Sequence, residues 1–432
     1  MKRNRFALLL AMLVLLTSCR RSIKTDDPVV PYSSSPIGGD MTTCSIGDRV
    51  YSLYYGFHVY DAEGETVRQG LCRDPLCEHK TASCPDYLLS QNYTSTGLAT
   101  DGESIYVSSF FFEIDPKTGQ GERKRAVYAV RPDTEKVKKL CDVPSTGAEF
   151  KEIAVADGYV WFMAAYYNED YDPTAEVQSL SDQVAAIRRV KCSGGASEAV
   201  TDERFSIDEA FYTDGRTLYV EERSTGLLRA ADLEDGKVKG EWREVQKENM
   251  TFGPILFYEG ETYTFAAPAR PEEADGAYTD VNGRVLYPLS ALRLCDSGEW
   301  ETVADDVTFW SYRFADGALW YEPYAAESYG VRESWNGAET VPMEWVKNGT
   351  GTLRRVDLHD GSIKEWTSED GRSIHPLAIC GEGDNLVVWS LLEDYAAFVE
   401  SDGKRDTEIW KLRLGEDGVA VIEATAGDLR DS

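Results

Sequence analysis

The sequence predicts an all-β protein, a β-propeller of seven four-stranded blades, with six or eight blades as the alternatives. Three observations point there. The composition favours strands around a sizeable core: 42% of residues are hydrophobic and 11% aromatic, with 24 Tyr and 10 Trp. A tight turn followed by an apolar, aromatic-bearing run recurs along the chain, and further downstream a short apolar-basic-apolar run tends to follow it. Repetition of this kind is the signature of a blade, a unit that buries its faces only against its neighbours.

The clearest copy spans 214–242, where Asp214-Gly215 and Asp235-Gly236 supply residues that tolerate positive φ between three strand-like runs. Lettering the strands of a unit A to D, the A-to-B turns and B strands read Gly47-Asp48-Arg49-Val50-Tyr51, Asp101-Gly102-Glu103-Ser104-Ile105-Tyr106, Asp157-Gly158-Tyr159-Val160-Trp161, Asp214-Gly215-Arg216-Thr217-Leu218-Tyr219, Gly260-Glu261-Thr262-Tyr263, Asp316-Gly317-Ala318-Leu319-Trp320 and Gly383-Asp384-Asn385-Leu386-Val387. The C strands echo one another in Val127-Tyr128-Ala129-Val130, Ile187-Arg188-Arg189-Val190, Leu292-Arg293-Leu294, Leu353-Arg354-Arg355-Val356 and Ile409-Trp410-Lys411-Leu412. Tandem β-sandwiches are the other architecture, but a long linker between two halves is missing from the sequence.

Taken in order, residues 1–18 read as an export signal, with Lys2, Arg3 and Arg5 ahead of an apolar run from Phe6 to Leu16. Leu16-Thr17-Ser18-Cys19 resembles the lipobox of bacterial lipoproteins, and the resemblance implies that Cys19 carries the lipid and anchors an extracytoplasmic protein to a membrane. Residues 19–40, rich in Ser, Pro and Gly, form a flexible tether. Residues 41–424 carry the propeller, and 425–432 are a C-terminal tail. Over 41–424 the chain resembles the propeller-bearing lipoproteins of bacteria, of the TolB-like or WD-repeat-like kind, a likeness that speaks to fold far more than to activity.

Loss of the signal removes three positive charges and no negative one, so the formal charge of −30 becomes −33. A field of that sign repels nucleic acid and excludes it as a partner. The expected partners are the membrane, through the lipid, and an envelope protein, peptide or glycan.

Topology places the binding face. In an antiparallel meander the A–B and C–D turns share one end of each blade, while the B–C loops and D-to-A connections share the other. The long insertions, 166–182, 267–288, 322–351 and 391–406, fall between B and C and therefore crowd one face. Tyr324, Tyr329, Trp335 and Trp345 lie in one of them, where flat rings can stack on a sugar, anchor a peptide or pack the loop itself. Asp170 and Asp172, with further carboxylates in neighbouring insertions including Glu393 and Asp394, give that face acid groups for ligand binding or for general acid–base work.

The most unusual stretch is 72–84, with the spacing C-x4-C-x-H-x4-C over Cys72, Cys77, His79 and Cys84. Three thiols and an imidazole are a tetrahedral zinc set. A disulfide-pinned loop is the competing reading, because nine cysteines less Cys19 leave an even eight outside the cytoplasm. As a D-to-A connection the stretch belongs to the long-loop face. His58, His79, His359 and His375 are the only histidines, which leaves few candidates for a His-based centre, and the sequence names no catalytic residue. The leading functional expectation is a non-enzymatic module that binds a ligand or protein through the long-loop face. The alternative is an extracytoplasmic carbohydrate-active enzyme using a carboxylate pair there.

Overall fold

The computed structural model describes residues 43–428 apart from 54–56, 65–66, 91–96, 115–120, 147–149, 151, 169–182, 223–224, 246, 336–339 and 395–407. The signal, the tether with Cys19, and Asp170 and Asp172 lie outside the described residues, as does the end of the C-terminal tail.

Strand pairing groups the described strands into antiparallel four-strand meanders taken in chain order. The first runs Thr43–Ile46, Arg49–Ser52, His58–Asp61 and Arg68–Gln69. The second to fourth are likewise separate four-stranded sheets, closing with Glu209–Thr213, Thr217–Glu222, Leu227–Glu234 and Lys237–Glu244. Apart from two two-stranded hairpins, the remainder is one 11-stranded sheet that resolves into three further meanders, because Trp300–Ala315 serves as outer strand of the fifth unit and inner strand of the sixth. The seventh unit is Ser373–Cys380, Val387–Glu393, Glu408–Leu414 and Val419–Asp428. The chain is a β-propeller, and each of the A-to-B turns read from the sequence joins an inner strand to its neighbour.

Those turns form for a local reason. Asp157 and Gly158 have φ of 51° and 75°, and Asp316 and Gly317 have 49° and 63°. Two successive positive φ values mark the mirror-image turn whose twist matches that of the strands it joins, and Asp and Gly tolerate it.

The core lies between units. Among the described residues, seven buried apolar clusters each join one unit to the next. Trp161 and Met163 of the third unit, for example, pack on Phe211 and Leu218 of the fourth. The seventh cluster closes the ring, with Val50 and Tyr60 of the first unit against Trp389 and Ile409 of the last. Trp389 Nε1 donates to Asp61 O at 3.1 Å, and Lys411 Nζ donates to Gly64 O at 2.8 Å.

The first unit is the slightest, its outer strand only two residues long. The Cys/His loop and a short helix, Pro85–Ser90, supply the missing surface: Cys72, Cys84, Tyr87, Leu88 and Leu89 are buried with Ile105, Val107 and Tyr128 of the second unit. Burying side chains of this size contributes about 1.5–3 kcal/mol each. One expectation is corrected here. The loop does not stay on the long-loop face but runs down the flank of the second unit, where the Arg73 N–H donates to Glu135 Oε2 at 2.7 Å in a C–D turn. So short an outer strand leaves that flank open for the loop to cover. Among the described residues, no helix is long and apolar enough to cross a membrane.

Candidate active site and metal centre

On the long-loop face, at the seam between the sixth and seventh units, two carboxylates bracket one imidazole. Glu322 ends the B strand of the sixth unit, Ala318–Pro323. His375 is near the start of the A strand of the seventh, and Glu393 ends the B strand beside it. The pairing register puts Leu391 opposite His375 and Glu393 opposite Ser373, so His375 and Glu393 are diagonal neighbours on one face of the sheet. Glu322 reaches across the seam. His375 Nδ1 lies 2.9 Å from Glu322 Oε2, and Nε2 lies 3.3 Å from Glu393 Oε2.

The backbone is shaped around Glu322. The Gly351 N–H donates to its Oε1 at 2.8 Å. A Cβ at Gly349 would come within 2.2 Å of the Glu322 carboxyl carbon, so any larger residue in the Asn348-Gly349-Thr350-Gly351 return would displace the carboxylate from its present place. The Glu322 and Glu393 side chains are 1% and 8% exposed, so any charge they carry needs a partner. Burial on its own would lower the pKa of His375, but the two glutamates outweigh it and raise it to about 9. That shift favours the protonated imidazole between the two carboxylates.

The aromatic insertion rises from this spot. Within it, Glu327–Trp335 and Thr340–Lys347 form a hairpin whose base, Glu327 opposite Lys347, stands next to the glycine return. The register slips between Ser328 and Val331, which leaves Tyr329 and Gly330 opposite Trp345 in a bulge. Burial raises the pKa of the Tyr329 hydroxyl, and the nearby carboxylates of Glu327 and Asp394 push it the same way. Tyr324 is placed differently: its ring passes near Gly276 of the preceding insertion, so it serves packing between loops. The side chain of Trp335 lies outside the described residues.

The second cluster is the 72–84 loop. Ligand atoms of Cys72, Cys77, His79 and Cys84 all lie within 4.8 Å of one another, and all eight described cysteines are thiols. Ligands at ~2.3 Å from a tetrahedral zinc stand roughly 3.8 Å apart. His79 has φ of 50°, a left-handed turn that aims its backbone N–H at Cys77 Sγ, 3.4 Å away, while Nδ1 approaches Cys84 Sγ at 3.1 Å. Asp86 braces the loop by accepting from the N–H groups of Leu71 and Cys72 at 2.5 and 3.1 Å. Burial raises the pKa of the Cys72 and Cys84 thiols, a cost that a divalent cation would offset. The donor set and its convergence fit a metal ion.

The metal-type loop is local in sequence and is readable there. Glu393 is readable only as a loop carboxylate, and the meeting of Glu322 with His375 is not readable. The available signal is a B strand closing on Glu, as in Trp320-Tyr321-Glu322 and again in Leu391-Leu392-Glu393, beside one of very few histidines.

No protein-family model and no curated protein matches the chain. Solved structures match in overall shape. An oligogalacturonate lyase from Vibrio parahaemolyticus is 9% identical with a TM-score of 0.43, over 85% of this chain and 89% of its own. An oligogalacturonate lyase in complex with manganese is 8% identical with a TM-score of 0.42, over 78% and 77%. A periplasmic gluconolactonase from Pseudomonas aeruginosa is 9% identical with a TM-score of 0.41, over 91% and 94%. These matches are described as enzymes, against the expectation of a non-enzymatic binding module. Likeness at this level carries no argument about the activity of this chain, a question that falls to its own residues.

Proposed function

We propose that the chain is an extracytoplasmic carbohydrate-active enzyme whose acid–base chemistry uses the carboxylate pair Glu322 and Glu393 with His375 between them. One observation carries this reading: two nearly buried carboxylates bracket a single imidazole at the ends of two B strands on the long-loop face. Glu393, the more accessible carboxylate, takes a proton from a sugar hydroxyl, a ring carbon or an attacking water. The His375 imidazolium donates to the departing oxygen. Glu322, deeper and fixed by the Gly351 N–H, keeps that imidazole charged and oriented.

The test is turnover by the full chain on a panel of neutral, amine-bearing and uronic oligosaccharides. Glu393→Gln should lower kcat by about 10²–10⁴-fold. In Glu322→Gln the alkaline limb of the pH–rate profile should move to lower pH, because His375 loses one of its two supporting charges. Absence of turnover across the panel, or full activity in Glu393→Gln, rejects the reading.

Two further proposals complete it. The lipobox-type sequence ending at Cys19 supports lipid anchoring to a bacterial membrane, with 19–40 as the tether that holds the acidic head clear of the headgroups. The donor set Cys72, Cys77, His79 and Cys84 supports zinc in a structural role, since four protein ligands would leave no open position for a substrate.

A further inference from the structure

The insertions of the fifth and sixth units are tied together by one carboxylate. In the fifth, Tyr278–Thr279 and Val285–Leu286 form a small hairpin. Glu344, in the sixth-unit hairpin, accepts from the Tyr278 hydroxyl, from the Val281 N–H at 2.9 Å and from the Ser328 hydroxyl. Three donors from two hairpins thus meet on one side chain, which keeps its carboxyl below the usual range. Fixed by that knot, the sixth-unit hairpin carries Tyr329 and Trp345 in its bulge, while its base stands against the loop that wraps Glu322. Val281 and Val331, 48% and 52% exposed, add apolar surface to the two hairpins.

The charges around this wall are mostly of one sign. On the two hairpins and at the carboxylate pair, Asp280, Glu322, Glu327, Glu333, Glu344, Glu393 and Asp394 bring seven carboxylates, against Arg284, Arg332, Lys347 and His375, and Arg284 is paired with Asp280. His375 is committed to two of those carboxylates, and Lys347 Nζ donates to Thr350 O at 3.2 Å. A chain of acidic sugars would meet repulsion here, whereas an uncharged or amine-bearing sugar would not. Sugar rings have apolar faces that stack on aromatic side chains, and a bulge offering two aromatics beside an acid–base group is suited to that contact.

We infer that the coupled hairpins form a sugar-stacking subsite for an uncharged or amine-bearing chain, with Tyr329 and Trp345 as its contact surface and Glu344 as the positioning residue that holds it over the carboxylate pair. This rests on the reading of Glu322, His375 and Glu393 as the reacting groups, but it concerns binding and is measured apart from turnover.

The experiment uses the full chain carrying Glu393→Gln and three probes: cellohexaose, a glucosamine hexamer and hexagalacturonate, each titrated calorimetrically. Cellohexaose or the glucosamine hexamer should bind at least tenfold more tightly than hexagalacturonate. Tyr329→Ala should weaken that binding about tenfold. Glu344→Ala should weaken it comparably, and Glu344→Gln, which keeps an acceptor for the Tyr278 or Ser328 hydroxyl, should restore part of the loss. In a turnover-competent background Glu344→Ala should raise KM and leave kcat nearly unchanged, a split that general loosening of the fold would not give. Tighter binding of hexagalacturonate, no binding of any probe, or indifference to Tyr329→Ala overturns the inference. Binding as expected without turnover by the wild type would instead remove the enzymatic reading and leave the subsite standing.

Discussion

His375 makes the stability of this protein depend on alkaline pH in a calculable way. Its pKa rises from an ordinary 6.5 to about 9 because Glu322 and Glu393 outweigh the effect of burial. A raised folded-state pKa means that the folded chain holds the proton more tightly than the unfolded chain. The associated stabilisation is therefore complete below about pH 6.5 and is lost as pH climbs through about 9. At ~1.36 kcal/mol per pKa unit, the shift corresponds to about 3 kcal/mol. Burial of the two carboxylates limits screening, so added salt should change this little. The assay is urea unfolding of wild type and His375→Gln at pH 6, 7.5 and 9.5, the difference between the two proteins cancelling groups that titrate in both. Wild type should lose its advantage stepwise across that range, by about 3 kcal/mol in all. A difference that stays constant from pH 6 to 9.5 would refute the charged bridge and, with it, the acid–base assignment.

Four other outcomes are expected. Purified reduced protein should carry about one zinc per chain, and Cys77→Ser or His79→Ala should each abolish it by opening a tetrahedral site; a non-reducing mass deficit of about two hydrogens mapped to 72–84, without metal, would establish the disulfide instead. Trp389→Ala should cost about 3–5 kcal/mol in chemical unfolding, because it empties the closing seam and removes the bond to Asp61 O, and a cost under about 1 kcal/mol would mean that the seam does not hold the ring. Gly349→Ala should push Glu322 away from His375, seen by NMR titration as a fall of the His375 pKa toward its ordinary value, and an unmoved titration would count against the close wrap. Cys19→Ala should lose acyl mass and release the protein from membranes; equal retention of both forms would end the anchoring proposal.

Much of the fold is legible in the sequence because propeller information is local. Each A-to-B turn announces itself by Asp, Gly or both, and the runs on either side carry the apolar residues that the seams bury, as Val160-Trp161 and Leu319-Trp320 do. The Cys/His loop is legible for the same reason, since its four donors fall within one short stretch. Its course is not: an outer strand of two residues leaves a flank to be covered, and strand length at a sheet edge has no sharp sequence signal. The Glu322–His375–Glu393 contact stays hidden because it forms across a seam. No residue in Tyr321-Glu322-Pro323 indicates that Ile374-His375-Pro376 will stand opposite, and the meeting arises only once two units are packed side by side.

The sixteen-residue strand Trp300–Ala315 changes the mechanics of the ring. It passes from the rim of one unit to the hub of the next without a loop, and the outer strands of the sixth and seventh units are stitched in parallel where Thr367 and Ser368 pair with Val419 and Ala420. Three units thus form a single hydrogen-bonded ribbon, whereas the first four are discrete sheets that touch through side chains and loops. Strand-to-strand pairing that runs unbroken across three units should make that arc the stiffer one, while the other arc is joined by single backbone bonds such as Val238 N–H to Val200 O. Glu322, His375 and Glu393 sit on the stiff arc, where thermal breathing cannot easily pull a 2.9 Å contact apart. The Cys/His loop sits on the compliant arc, where a cross-link restrains the most motion.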